Sequence, residues 1–136
     1  MFILDTNVIS ELRRAGKAHP SVVQWADARP VTAFFLSVVT ILELDLGVHR
    51  VMRKDPAQGK VLRHWIDTQI LPRFDGRILA IDTAVARQCA LLHDPDPRSE
   101  RDALIAATAL VHGMTVVTRN VADFDIAGLR VFNPWI

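Results

Sequence analysis

Cysteine occurs once in the 136 residues, at Cys89. That excludes a disulfide framework, a thiolate zinc site and a CxxC redox pair, and a reducing, cytoplasmic setting fits best. Lysine is scarce as well, with three residues (Lys17, Lys54 and Lys60) against thirteen arginines. Basic and acidic residues nearly cancel, sixteen against fifteen, for a formal charge of +1. A strongly basic nucleic-acid binder of the histone type is thereby excluded, though not a basic patch. The six glycines form neither GxGxxG nor a P-loop, so no nucleotide cradle is expected. The five histidines show no HExxH spacing, and no serine lies in a GxSxG elbow. No apolar run reaches the roughly 18 residues that span a bilayer. The most apolar stretch, Val31 to Leu46, is broken by Thr32, Ser37, Thr40, Glu43 and Asp45. The opening Met-Phe-Ile-Leu-Asp lacks the basic start and long apolar core of a signal peptide.

What is present is ordinary globular composition, half apolar and 23% charged, at a length that suits a single domain over residues 1–136. Short apolar runs at Phe2–Leu4, Ala33–Leu36, Arg77–Ile81, Met114–Thr118 and Arg130–Phe132 read as buried strands. Between them, helices are expected near Val8–Arg14, Pro20–Ala28, Val38–Met52, Asp55–Ile70 (ending before Pro72), Asp82–Leu92 and Arg101–His112. Gly113 stands where a left-handed helix cap belongs, and Pro95 and Pro97 mark a loop. A turn or short helix is expected near Val121–Phe124. Strands that are continuously apolar and alternate with helices predict a three-layer α/β/α fold around a mostly parallel sheet of four to five strands. Ligands of such sheets bind beyond the carboxyl ends of the strands.

Four acidic residues fall at or near those ends. Asp5, in Asp5-Thr6-Asn7, follows the first strand, where it is equally well read as a helix cap. Glu43, one of only three glutamates, is flanked by Ile41, Leu42 and Leu44; a carboxylate at the helix edge, reaching solvent, is the plainer account. Asp102 opens an almost wholly apolar, and therefore central, helix, although Ser99 to Asp102 also resembles a capping box. Asp123 lies just past the fourth strand, in what taken alone is a surface turn. Together the four can converge on one pocket. Clustered carboxylates repel one another, and a magnesium or manganese ion removes that conflict. Metal ions so held suit phosphodiester cleavage. Thr118, Arg119 and Asn120 would offer donors to a substrate phosphate, with Arg119 as the charged fork, and Asn7 could orient water or substrate.

Several segments, in order and at the right spacing, resemble the PIN-domain family, specifically the VapC toxin type and its FitB-like branch. They are Phe-Ile-Leu-Asp5-Thr6-Asn7-Val-Ile-Ser-Glu, then Ser37-Val-Val-Thr-Ile-Leu-Glu43-Leu with Gly47 downstream, Asp102-Ala-Leu-Ile-Ala-Ala-Thr-Ala, and Thr118-Arg119-Asn120-Val-Ala-Asp123-Phe124. The closing Phe132-Asn133-Pro134-Trp135 is typical of the FitB-like branch. The resemblance implies a PIN-like fold and a magnesium- or manganese-dependent endoribonuclease, the toxin of a type II toxin–antitoxin pair. It further implies a homodimer acting on RNA such as transfer RNA or a ribosomal RNA loop. A small VapB-like antitoxin would silence it by covering the active site and would itself bind promoter DNA. By position, Asp5, Glu43 and Asp102 match the most consistent acidic residues of the family. The fourth position is either Asn120 or, three residues later, Asp123; Asp123 is the preferred choice, and Asp125 is a weaker candidate.

Two other readings compete. A catalytically silent PIN-like module that binds RNA or a partner is opposed by the intact acidic set, since a dead site has no reason to keep like charges together. A receiver-like phosphotransfer domain needs a lysine after a late strand, where this chain has none. The apolar faces of the helices at Val38–Met52 and Val61–Leu71 are candidate partner surfaces, predicted to form an exposed groove for an antitoxin helix.

Overall fold

The computed structural model describes residues 1–14 and 16–136. Five strands form one sheet: β1 (Phe2–Leu4), β2 (Phe34–Ser37), β3 (Ile78–Leu79), β4 (Thr115–Val117) and β5 (Val131–Phe132). Their spatial order is β3-β2-β1-β4-β5, and every pairing is parallel. Residues at alternate positions serve opposite faces. Leu4, Phe34, Leu36 and Val117 point to one core, while Ile3 and Val116 point to the other. Because helices cover both faces, both sets are apolar and the strands read as continuous hydrophobic runs.

The first core is closed by α1 (Thr6–Leu12), α2 (Pro20–Asp27), α3 (Val38–Lys54) and α4 (Pro56–Trp65). A π turn (Ile66–Ile70) and the short α5 (Leu71–Arg73) extend α4. The opposite core is filled from α7 (Glu100–His112), which gives Ile105, Ala106 and Ala109 to the sheet. Its Ala103 and Ala107 pack against Val85 and Cys89 of α6 (Thr83–Leu92). The small residues of α7 allow this close approach on two sides, which is why the helix is apolar almost all round.

Most expected caps are present. Asp82 accepts from the Val85 amide at 2.9 Å, and Gly113 takes the left-handed conformation at φ 66°. The helix expected to stop before Pro72 instead continues through it to Arg73. The π turn ends two residues before Pro72, and its widened backbone accommodates a residue that has no N–H to give. The third strand is two residues long, not five, because only Ile78 and Leu79 pair with β2. Arg77 instead ties down the neighbouring backbone, its guanidinium donating to the carbonyls of Val31, Phe34 and Arg73.

Candidate active site

Chain order reverses direction between β1 and β4: β2 and β3 extend the sheet on one side of β1, β4 and β5 on the other. In a parallel sheet that switch leaves a crevice beyond the strand ends. Asp5 leaves β1 and Thr118 leaves β4 at this point. The Asp5 amide donates to the Val117 carbonyl at 2.9 Å, carrying the pairing of the two strands one residue past the end of β1 into the crevice. Asp5 is still extended, and the chain turns into α1 directly after it. Its Oδ1 accepts from the Thr6 amide at 2.9 Å; its Oδ2 accepts from Thr118 Oγ1 at 2.8 Å and Asn7 Nδ2 at 3.2 Å. Asp5 is thus both the helix cap and a buried carboxylate facing the crevice, so the two readings of this residue coincide.

The turn after β4 is knitted to the same point. Thr118 is fully buried, and its Oγ1 accepts from the Asn120 amide at 3.0 Å. The Arg119 amide donates to Asn7 Oδ1 at 3.3 Å. Asn7, Thr118, Arg119 and Asn120 therefore sit together around Asp5.

Glu43 arrives from α3. Ser37 ends β2 and caps that helix, its Oγ accepting from the Val39 amide at 3.0 Å. Glu43 Oε1 accepts from Thr6 Oγ1 at 2.7 Å, and the same hydroxyl lies 3.2 Å from Thr40 Oγ1. Glu43 Oε2 is 3.7 Å from the Arg101 guanidinium at the start of α7. Thr6, Thr40 and Arg101 escaped the sequence reading. Thr6 carried a signal, standing between Asp5 and Asn7; the contacts of Thr40 and Arg101 depend on how α3 and α7 meet.

The charges report on one another. Asp102, in the first turn of α7, has its pKa pushed up to about 6, first by burial and then by the charges of Asp5, Asp123 and Glu43. Asp5 is raised in the same sense, mainly by burial, with Glu43 and Asp123 adding to it. The structure so brings Asp5, Glu43, Asp102 and Asp123 into one electrostatic neighbourhood, Asp123 from the exposed end of the 3-10 turn Val121–Phe124. Asp125, one residue beyond that turn, raises neither group. Four acidic groups, with only Arg101 among the described residues drawn to one of them as an ion pair, form a site that favours a cation. All its donors are hard oxygens, which suits magnesium or manganese.

A separate cluster joins the end of α6 to the start of α7. Cys89, His93 and Glu100 bring one ligand atom each within 4.8 Å. His93 Nδ1 accepts from the Arg98 amide at 3.1 Å, which places the ring proton on Nε2, 3.3 Å from Glu100 Oε2. The Cys89 thiol faces Glu100 Oε1 at 3.8 Å. The His93 Nε2 is nonetheless buried without a hydrogen-bond partner among the described residues, and a metal there would require the other tautomer.

A PIN domain family model matches residues 2–128. The chain belongs to the PIN-domain family. It is 40% identical to the toxin FitB of Neisseria gonorrhoeae, over 99% of each chain. It is 36% identical to the VapC ribonuclease Y4jK of Sinorhizobium fredii, over 99% of this chain and 98% of that one. The crystal structure of FitAcB from Neisseria gonorrhoeae superposes with a TM-score of 0.90 at 38% identity, covering 99% of both chains.

On this PIN domain the helices expected at 38–52 and 61–71 keep apolar side chains exposed, Leu42, Val61 and Leu71 among them. Gly59 presses α4 onto Met52 of α3 so closely that a Cβ there would lie 2.6 Å from Met52 Sδ, and Leu42 and Val61 remain exposed as separate residues. A groove of about 620 Å³ opens between α1, α2 and the π turn, with Trp65, Gln69 and Ile70 of the predicted 61–71 helix in its wall. Leu12, Val23, Trp65 and Ile70 line it, and Arg13, Arg29 and Arg73 stand along it. No helix among the described residues is long and apolar enough to cross a membrane.

Proposed function

We propose that this PIN-domain protein is a divalent-metal-dependent endoribonuclease, the toxin of a type II toxin–antitoxin pair, and that Asp5, Glu43, Asp102 and Asp123 hold its metal. The observation that carries the reading is that Asp5 and Asp102, beside the switch point between β1 and β4, have their proton affinity raised by burial and by the charges of Glu43 and Asp123. Relatives named as a ribonuclease and as a toxin support the activity class. Against a silent binding module stands the cost of holding like charges together without a use for them.

In this reading the chain divides the work as follows. Thr118 and Asn7 hold Asp5 Oδ2 in one orientation, and Thr6 does the same for Glu43 Oε1. Asp5, Glu43, Asp102 and Asp123 would hold magnesium or manganese, which would supply Lewis acidity toward the phosphodiester and toward the attacking water. Arg119 and the side chain of Asn120 lie beside the crevice as donors to the RNA backbone, and Arg119 carries the positive charge. The substrates are cellular RNAs such as transfer RNA or a ribosomal RNA loop.

The inhibitor is a small VapB-like antitoxin, and promoter DNA is contacted only through it. The structural relatives include FitAB bound to a DNA fragment. The groove between α1, α2 and the π turn has the apolar floor and arginine rim to receive an acidic amphipathic segment of such a partner. The toxin acts as a homodimer in the cytoplasm.

Cleavage of a total-RNA pool by purified protein, with magnesium, with manganese and with chelator, tests the activity. Metal-dependent cutting that Asp102→Asn lacks is the expected result. Equal cutting by both proteins, or cutting that survives chelation, would overturn the reading.

A further inference from the structure

Arg119 stands out among the arginines near the crevice. Arg101 is drawn toward Glu43, whereas Arg119 makes no ion pair among the described residues. Its guanidinium lies 5.4 Å from the centroid of the Trp135 ring. Trp135 is itself anchored. Strand β5 pairs with β4 in the register Val117–Phe132, and the Thr118 amide donates to the Phe132 carbonyl at 3.0 Å. Asn133 Oδ1 then accepts from the Trp135 amide at 2.9 Å, turning the chain back toward the sheet. Pro134 is buried, and the half-buried indole packs against the first core. The closing residues thus carry an aromatic ring to the same edge of the sheet that carries the acidic residues.

From this placement we infer that Trp135 is a positioning residue: it holds the unpaired Arg119 guanidinium by a cation–π contact at the rim of the crevice, where Arg119 binds one phosphate of a single-stranded RNA. The inference rests on the nuclease reading and gives it a second recognition element. The physical case has two parts. An arginine on an exposed turn samples many rotamers, and ordering it in advance removes that cost from binding. Its backbone is already fixed, since the Arg119 amide donates to Asn7 Oδ1 at 3.3 Å, so the ring needs only to restrain the side chain. A guanidinium stacked on an indole also keeps its edge N–H groups free for phosphate oxygens.

Binding of a short fluorescein-labelled single-stranded RNA, followed by anisotropy in chelator across a salt series, reads the phosphate contact directly. Neutralising one phosphate of a single strand contributes about 0.7 to the slope of log K against log salt. Arg119→Gln should lower the slope by about that amount. Trp135→Leu should weaken binding about two- to five-fold, in line with the strength of an exposed cation–π contact, while Trp135→Phe should keep most of the affinity. In the Arg119→Gln background Trp135→Leu should add nothing. With cleavage measured alongside, both single variants should raise KM more than they lower kcat. The Arg119 Hδ resonances, shifted by the ring, should move in Trp135→Leu before any RNA is added. The inference is overturned if Trp135→Leu weakens binding equally with Arg119 present and absent, since the tail then acts through the fold. It is also overturned if Arg119→Gln leaves the slope unchanged. RNA cut normally with that slope unchanged would sink this inference and leave the nuclease reading standing; absence of both binding and cutting in the wild-type protein would sink both.

Discussion

Thr118 Oγ1 donates a 2.8 Å hydrogen bond to Asp5 Oδ2, joining two residues 113 positions apart across the point where the sheet reverses its order. The bond is buried, so it is short of competing water, and it fixes which lone pairs of Asp5 remain to face the crevice. It is the single contact that most directly couples the fold to the site.

Thr118→Val keeps the shape and removes the donor. Partners of ligand carboxylates typically contribute about 10- to 100-fold to metal affinity or activity. A loss in that range is expected in RNA cleavage, recovered in part at high magnesium. Thermal unfolding should show the protein less stable by about 1 kcal/mol, the usual size of one internal hydrogen bond. Unchanged cleavage at limiting magnesium would show that Asp5 does not depend on Thr118.

Asp102 gives a pH dependence with a definite sign. Its carboxyl titrates near 3.8 when unfolded and about 6 when folded, so between those values the folded protein holds more protons. Its contribution to stability is fully present below 3.8 and is lost as pH rises through 6. The metal-free protein should therefore lose stability over that interval, and Asp102→Asn should flatten the loss. Because Asp102 is partly exposed, solvent screening reduces the effect to the order of 1 kcal/mol, or about 3 °C in Tm above the upper pKa. Magnesium should restore a similar increment to the wild type but not to the variant. Calorimetric scans with and without the ion check each expectation.

Asp123 and Asp125 are two residues apart and should behave differently. Only Asp123 raises the proton affinity of Asp5 and Asp102. Asp123→Asn is expected to weaken cleavage at limiting metal by about tenfold or more, and Asp125→Asn to leave it unchanged. Magnesium titrations of activity for the two variants decide the fourth acidic position.

Gly59→Ala probes packing away from the site. The added Cβ would lie 2.6 Å from Met52 Cγ and 2.9 Å from Met52 Cα. The thioether can swing aside, but the backbone cannot, so α3 and α4 must separate. Destabilisation of about 1–3 kcal/mol is expected, the range for overpacking, with the metal dependence of cleavage unaltered. Denaturant unfolding beside an RNA cleavage assay tests both halves.

Much of this molecule could be read from local chemistry. The strands announced themselves as short apolar runs, because helices on both faces leave no polar side. Asp82 and Gly113 marked helix ends through their own side-chain and backbone preferences. Asp5 and Asp102 could be singled out because carboxylates beside apolar segments need a partner or a purpose. Pro72 misled, since the rule that proline ends a helix holds only while the turn before it keeps its regular pitch. The partner surface was legible only in part: apolar stripes on α3 and α4 look alike whether they meet each other or a second chain, and Gly59 brings these two together at Met52.

The sequence by itself determined the elements, their caps and the residues able to bind a hard cation, since each follows from side chains acting within a few positions of chain. Only the tertiary structure decided that Thr118 holds Asp5, that Thr6 holds Glu43, that Arg101 is drawn to the acidic site while Arg119 is left to Trp135, and that a groove opens between α1, α2 and the π turn. These are contacts between distant segments. They exist because β4 lies beside β1 and the helices pack at particular distances, and no local preference in the chain encodes either.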